Sequence, residues 1–338
     1  MVKLTALSLG AIGLSLLLTT ASPAQPLPTL PAPPAPPPGT PAPNTTGPLK
    51  RPIIATIGPE TYFINEFGAD SIYVIVGTQR ALVVDTGSGF MDLKATVEGL
   101  TKLPYDVVIT HSHPDHAGGA GLFDTVYIHP ADIAAASAIT YEGRVRYGQI
   151  MRSMSARPGA AGFPDVWGYT DADVRRWPKI PEFKPLSDGQ VFDLGGRKVT
   201  AYHLPNHTPG SMVFIDDKSR IAFTGDAANA GGNGSNGPVS TTLRGLLRLR
   251  ALRATSFDRQ YTGHTAYANR IDAIPQSNQA LDDLIEAYRS ILRGDAQLQT
   301  IPNNLNPSQS QTVAVHGLAR VTFRPNLLWE PGEPHVVP

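Results

Sequence analysis

The sequence predicts a mixed α/β fold, and three observations carry that expectation. Short apolar, β-branched runs at 71–76, 81–84, 107–109 and 126–128 are interleaved with a helix-period stretch at 91–100, the strand–helix–strand rhythm of a layered α/β domain. Further short runs at 199–204, 212–215 and 221–223 follow after residue 190. Aspartates and histidines fall just past the ends of these runs, at Asp85, His111, His207, Asp226 and His264, so that one sheet edge can gather them.

Before the domain comes a different kind of sequence. Lys3 and an apolar run over 4–18, followed by small residues around Ala21 and Ala24, read as a secretory signal peptide over residues 1–24. The run is too short and wrongly flanked for a stable membrane span. Residues 25–50 are rich in Pro, Ala and Thr, a composition that favours extended polyproline conformation over a packed core, and read as a spacer. Residues 51–338 are left as one domain. The expected location is periplasmic or secreted, with no stable membrane anchor after cleavage.

Composition narrows the partners. Lys+Arg 28 balances Asp+Glu 28, which offers no basic surface for nucleic acid or anionic lipid. Cys 0 excludes disulfides and thiolate metal ligands. A small-molecule substrate is the expected partner.

Within the domain, 71–76 and 81–84 read as a hairpin turning at Gly77-Thr78-Gln79, and the second strand runs into Asp85-Thr86-Gly87. The helix at 91–100 turns Leu93, Val97 and Leu100 inward. His129-Pro130 opens the next helix, with His129 structural beside a helix-initiating proline. Residues 141–180 read as irregular and aromatic-rich, either a binding lid or a surface insertion. Met212 and Ile221 begin two strands of a hairpin around Asp217-Lys218-Ser219. The helix at 240–254 carries Arg244, Arg248, Arg250 and Arg253, read as a solvated face. A last helix starts from a Ser277 cap and stops at Gly294, with strands expected at 311–315 and 319–323 after it.

The chemistry concentrates in Thr110-His111-Ser112-His113-Pro114-Asp115-His116, followed by Gly118-Gly119. An extended chain would put His111, His113 and Asp115 on one face and His116 on the other. Imidazoles clustered this tightly repel one another when protonated and cost desolvation when buried unpartnered. Imidazole nitrogen with a carboxylate oxygen is the donor set of zinc, whereas calcium and magnesium take mostly oxygen.

The run H-x-H-x-D-H with Gly-Gly behind it resembles the metallo-β-lactamase superfamily, and the likeness extends through most of the chain after about residue 53. The resemblance implies a four-layer αββα sandwich with a dinuclear metal site at one edge. It implies His111, His113 and His207 on one zinc ion, Asp115, His116 and His264 on a second, and Asp226 bridging them. It also implies that Asp85 orients a ligand histidine. The activity implied is hydrolysis by a hydroxide shared between two Zn2+ per chain, with Asp115 as the catalytic proton handler; ligand type alone does not separate zinc from iron or manganese. Members using iron with flavin carry glutamate where this chain has His113. Dedicated β-lactamases of the superfamily generally lack an aspartate at the position of Asp226. The expectation is therefore cleavage of an ester, thioester, lactone or phosphodiester. The alternatives are a secreted β-lactamase and a non-catalytic metal-binding protein.

Overall fold

The structure, a computed structural model, describes residues 52–155, 169–265, 273–303 and 309–338. The signal-peptide and spacer readings lie outside the described residues. In chain order the elements are β1 (Ile53–Gly58), β2 (Thr61–Asn65), β3 (Ser71–Val76), β4 (Ala81–Val84), α1 (Leu93–Leu100), β5 (Tyr105–Val108), α2 (Pro114–Ala117), β6 (Thr125–Ile128), α3 (Pro130–Ser137) and α4 (Tyr141–Ser155). They continue with β7 (Glu182–Pro185), β8 (Val191–Asp193), β9 (Lys198–His203), β10 (Met212–Asp216), β11 (Ile221–Phe223), β12 (Asn233–Gly234), α5 (Val239–Arg253), β13 (Arg259–Tyr261), α6 (Asn278–Arg293), β14 (Gln297–Pro302), β15 (Ser310–His316) and β16 (Ala319–Thr322). No helix among the described residues is long and apolar enough to cross a membrane.

Two sheets form the centre. The first runs β1-β2-β3-β4-β5-β6-β7, antiparallel up to β4 and parallel from β4 onward. The second runs β13-β11-β10-β9-β8, and within it β9, β11 and β13 point the same way. A smaller sheet, β12-β16-β15-β14, extends the second half. Apolar side chains from both large sheets meet in one buried layer, with Phe63, Tyr73, Leu82 and Val108 facing Val199, Phe214 and Phe223. The Tyr73 and Phe223 rings lie 4.7 Å apart across it. The other face of the first sheet packs under α1, α3 and α4 through Val74, Val83, Leu93, Val97, Ala136 and Met151. The other face of the second sheet packs under α5 and α6 through Val213, Leu243, Leu246, Leu284 and Tyr288. The layers are therefore helix, sheet, sheet, helix, the αββα order implied by the resemblance.

Local chemistry explains why these elements stop where they do. Asp92 caps α1 by accepting from Ala95 N at 3.0 Å, and Leu93 and Val97 face inward, with Leu100 only half-buried. Ser277 caps α6, and Gly294 ends it at φ 81°, a left-handed conformation that suits glycine. His129 caps α3 ahead of Pro130, and Ala131 N donates to its Nδ1 at 3.3 Å. Three of the arginines on α5 pair with carboxylates: Arg244 with Glu333, Arg248 with Asp188 and Arg253 with Asp282.

Two expectations need correction. The stretch read as irregular from residue 141 begins as the regular helix α4, in which Arg144, Gly148 and Met151 recur at helical spacing on the buried face. Gly143 and Gly148 obscured that periodicity. Residues 156–168 of the stretch lie outside the described residues, so the lid reading is carried only by its flanks. The extended alternation assumed for the histidine cluster fails at Pro114, because that proline starts the short helix α2 with His113 as its cap. Asp115 and His116 are consequently neighbours on a helical turn, and Asp115 leaves the side shared by His111 and His113.

One buried ion pair joins the two large sheets. Arg197, in the turn before β9, donates to both carboxylate oxygens of Asp216 at the end of β10. Its remaining N–H groups reach Pro59 O at 3.0 Å, Val76 O at 3.1 Å and Thr61 Oγ1 at 2.9 Å, all in or beside the first sheet.

Candidate metal centre

Five strand ends converge at one edge of the sandwich. Asp85 follows β4 and His111 follows β5; His207, Asp226 and His264 follow β9, β11 and β13. The remaining candidates, His113, Asp115 and His116, come from the cap and first turns of α2. All seven proposed ligands and Asp85 are thus brought to one place.

Their nitrogen and oxygen atoms fall into groups of metal-binding size. His111, His113 and His207 form one, Asp115, His116 and His264 a second, and His111, His116 and Asp226 a third that overlaps both. His207 Nε2 and His113 Nδ1 are 2.9 Å apart. Asp115 Oδ2 lies 3.7 Å from His116 Nε2 and 3.5 Å from His264 Nε2. Asp226 Oδ2 sits between the groups, 3.5 Å from His207 Nε2, 3.2 Å from His264 Nε2 and 3.8 Å from His116 Nε2.

The outward nitrogens explain why the inward ones point as they do. His116 Nδ1 is 3.0 Å from Asp85 Oδ2, His264 Nδ1 is 2.9 Å from Ala69 O, and His207 Nδ1 is 3.3 Å from Gly234 O. His111 Nδ1 is 3.1 Å from Thr110 Oγ1. In all four the second nitrogen, Nε2, is turned to the centre; in His113 it is Nδ1. Such outer partners set the tautomer and ring orientation of a ligating histidine. Asp85 also accepts from Thr110 N at 2.7 Å and from Thr110 Oγ1 at 2.9 Å. It can do so because its backbone is left-handed, at φ 68°, which bends the carboxylate back over the end of β5. The glycines permit close approach. A Cβ on Gly263 would lie 2.4 Å from His116 Cε1, and one on Gly119 would lie 2.2 Å from Thr86 O.

The fit of this pocket to cations is visible in its own atoms. His111 Nε2, His116 Nε2 and Asp226 Oδ1 are buried without a hydrogen-bond partner, a costly state for polar atoms. Charge gives the same answer. Burial, then the neighbouring His116, His113 and His207, hold the His111 imidazolium well below its usual range. Burial drives His207 down to about 4 despite the pull of Asp226. Burial also disfavours a charged His116, but Asp115, Asp85 and Asp226 outweigh it and lift that pKa to about 10. Burial raises Asp115, yet His116 and His264 bring it below the ordinary carboxylate value. Neutral imidazoles at His111 and His207 and carboxylates demanding positive charge at Asp115 and Asp226 are a donor set completed by divalent cations.

Tyr147 is a site residue that sequence reasoning missed. It projects from α4, and its hydroxyl donates to Asp115 Oδ2 at 2.8 Å. The helical spacing of α4 was the signal available for it, and that helix was read as irregular.

The geometry yields a direct expectation for Asp85. Asp85→Asn preserves the left-handed backbone, which Asn tolerates, but removes an acceptor from Thr110 and His116. Metal affinity is expected to fall about 10–100-fold, measured by competition with a chromogenic chelator. Unchanged affinity would show that His116 is oriented by its packing alone.

Known proteins resemble this chain over the region that holds these residues. The sequence profile of the Metallo-beta-lactamase superfamily matches residues 66–283. An acyl-coenzyme A thioesterase, MBLAC2 of Gallus gallus, is 31% identical over 171 residues, covering 48% of this chain and 58% of that protein. An atrochrysone carboxyl ACP thioesterase of Aspergillus fumigatus is 26% identical over 255 residues, covering 74% of this chain and 48% of its own length. The chain thus spans less than two thirds of the length of these relatives. Among solved structures, the stereoselective inverting sec-alkylsulfatase Pisa1 from Pseudomonas sp. has the same fold, with a TM-score of 0.53 at 14% identity over 72% of this chain and 42% of that one.

Proposed function

Because the chain belongs to the metallo-beta-lactamase superfamily, we propose that it is a hydrolase that cleaves an acyl thioester, and that two zinc ions would be held by His111, His113 and His207 on one side and Asp115, His116 and His264 on the other, with Asp226 between the two groups. The observation that carries this reading is the position of Asp226 Oδ2, within 3.2–3.8 Å of nitrogens from both groups. Bound there, such ions would supply Lewis acidity, which polarises a carbonyl oxygen and lowers the pKa of water.

The protein's own residues do the rest. Asp115, disfavoured as an anion by burial but held ionised by His116 and His264, takes a proton from the attacking water on its carboxylate and returns it to the departing thiolate or alkoxide. Tyr147 fixes that carboxylate by donating to the same oxygen. Asp85 keeps His116 Nε2 turned inward, and Ala69 O does the same for His264. The negative charge of Asp226 between the two groups suits thiolate and alkoxide leaving groups better than the nitrogen anion of an opened lactam. The names of the relatives favour thioesters within the wider class of esters, lactones and phosphodiesters. Export is part of the proposal, supported by Lys3 and the apolar run over 4–18 ahead of Ala24.

The test is a parallel assay of zinc-loaded protein with an acyl-CoA thioester, an acyl lactone, a phosphodiester, a chromogenic cephalosporin and a carbapenem. The thioester is expected to give the highest kcat/KM. A lactam turned over faster than every other class would overturn the proposal in favour of a β-lactamase.

A further inference from the structure

Asp132 lies in the first turn of α3, 1% exposed, and takes no part in the mechanism above. Its hydrogen bonds go to two separate loops. Oδ2 accepts from Ser112 N at 2.9 Å, the peptide between His111 and His113. Oδ2 also accepts from Thr208 Oγ1 at 2.6 Å, and Oδ1 from Gly210 N at 2.9 Å, both beside His207. One carboxylate therefore holds together the two loops that supply the first group of histidines. The second group has other supports: Asp85 behind His116, Ala69 O behind His264 and Tyr147 on Asp115.

We infer that Asp132 is the positioning residue of the first metal site, clamping the 111–113 and 207–210 loops at the spacing that lets His111, His113 and His207 share one ion. The inference rests on the dinuclear reading proposed above. It also explains why the residue is an aspartate. Donors approach both oxygens, and only a carboxylate offers acceptors on both sides. An amide must turn its NH2 toward Ser112 N, which releases the first loop, or toward Gly210 N, which leaves the second loop held through Thr208 Oγ1 alone. The approach is tight as well. A Cβ on Gly210 would lie 2.6 Å from Asp132 Cγ, so a side chain there must push the His207 loop off its anchor.

Two variants probe the clamp from its two ends. Asp132→Asn removes an acceptor, whereas Gly210→Ala leaves the carboxylate and moves the loop. Each is stripped with a chelator and titrated with zinc against a chromogenic competitor, and with cobalt(II) followed by its visible spectrum. Asp283→Asn serves as the control, since Asp283 is another buried carboxylate that accepts a backbone N–H, from Leu318 at 2.7 Å, far from the ligand loops in sequence. Wild type and the control should take two equivalents. In Asp132→Asn and Gly210→Ala one equivalent should weaken about 10–100-fold while the other is retained. The cobalt spectrum of the remaining equivalent should match that of His207→Ala rather than that of His264→Ala.

Two tight equivalents in both variants, with wild-type affinities, would overturn the inference while leaving the dinuclear reading intact. So would equal weakening of both equivalents in step with a loss of thermal stability like that of Asp283→Asn, which is the signature of a structural role alone. Fewer than two equivalents in wild type would instead defeat the dinuclear reading itself.

Discussion

Asp115→Asn is expected to lower kcat by about 10²–10⁴-fold, the usual consequence of losing a positioned acid or base. The substitution keeps size and shape, so the fold should survive it. What it changes is the oxygen that faces His116 Nε2, His264 Nε2 and the Tyr147 hydroxyl together. An amide can still present its carbonyl oxygen to a cation, but it neither accepts a proton at neutral pH nor supplies the negative charge that His116 and His264 surround. Weaker metal binding at the second group is expected alongside the loss of rate. Steady-state kinetics at saturating zinc separates the two, because added metal restores occupancy without restoring the base. A kcat within a few-fold of wild type in the metal-replete variant would remove Asp115 from the proton-handling role.

The second large effect concerns stability. Arg197→Met should lower the unfolding free energy by about 3–5 kcal/mol, the range found when one member of a buried ion pair is removed. Asp216 would be left buried without its charged partner, and Pro59 O and Val76 O would lose a charged donor. An exposed pair offers the contrast. Lys179 and Asp124 are 2.7 Å apart at the surface, and Lys179→Ala should scarcely move the transition. Urea unfolding of the metal-free proteins reads both. A midpoint for Arg197→Met close to that of wild type would mean that the sheets are held by apolar packing alone.

How much of this was legible in the sequence depends on how local each signal is. The strands at 71–76 and 81–84, the cap and stop of α6 and the histidine cluster are written in neighbouring residues, and the structure contains each of them. The resemblance brought His207, Asp226 and His264 to the cluster, and the structure does place them there. Pro114 showed the limit of a period-based argument, since one proline converts an extended pattern into a helical turn. Residues 53–58 and 61–65 were not read as strands although they make β1 and β2, because Gly58, Pro59 and Glu60 dominate the short hairpin between them. The roles of Asp132, Tyr147 and Arg197 could not be singled out, although helical spacing could have placed Tyr147 on α4. Each acts through partners far away in the chain, and an aspartate in a helix's first turn, a tyrosine on a helix or an arginine after two glycines carries no local mark of such a role.

The division of the site between the two sheets also bears on how the chain is made. His111 to His116 emerge from the ribosome first, on the parallel half of the first sheet, but Asp226 and His264 come only after β9, β10 and β11 have been laid down. The last of them waits for β13, which joins β11 in parallel and therefore needs the crossover through α5 to be complete. Parallel pairing of this kind is slow to form because a long segment must close before it is rewarded. A cation that requires both halves binds the finished molecule and not its precursors, and it adds its binding free energy to the folded side of the equilibrium. The metal centre is in that sense a seal on completed folding, fastened by the final strand of the second sheet.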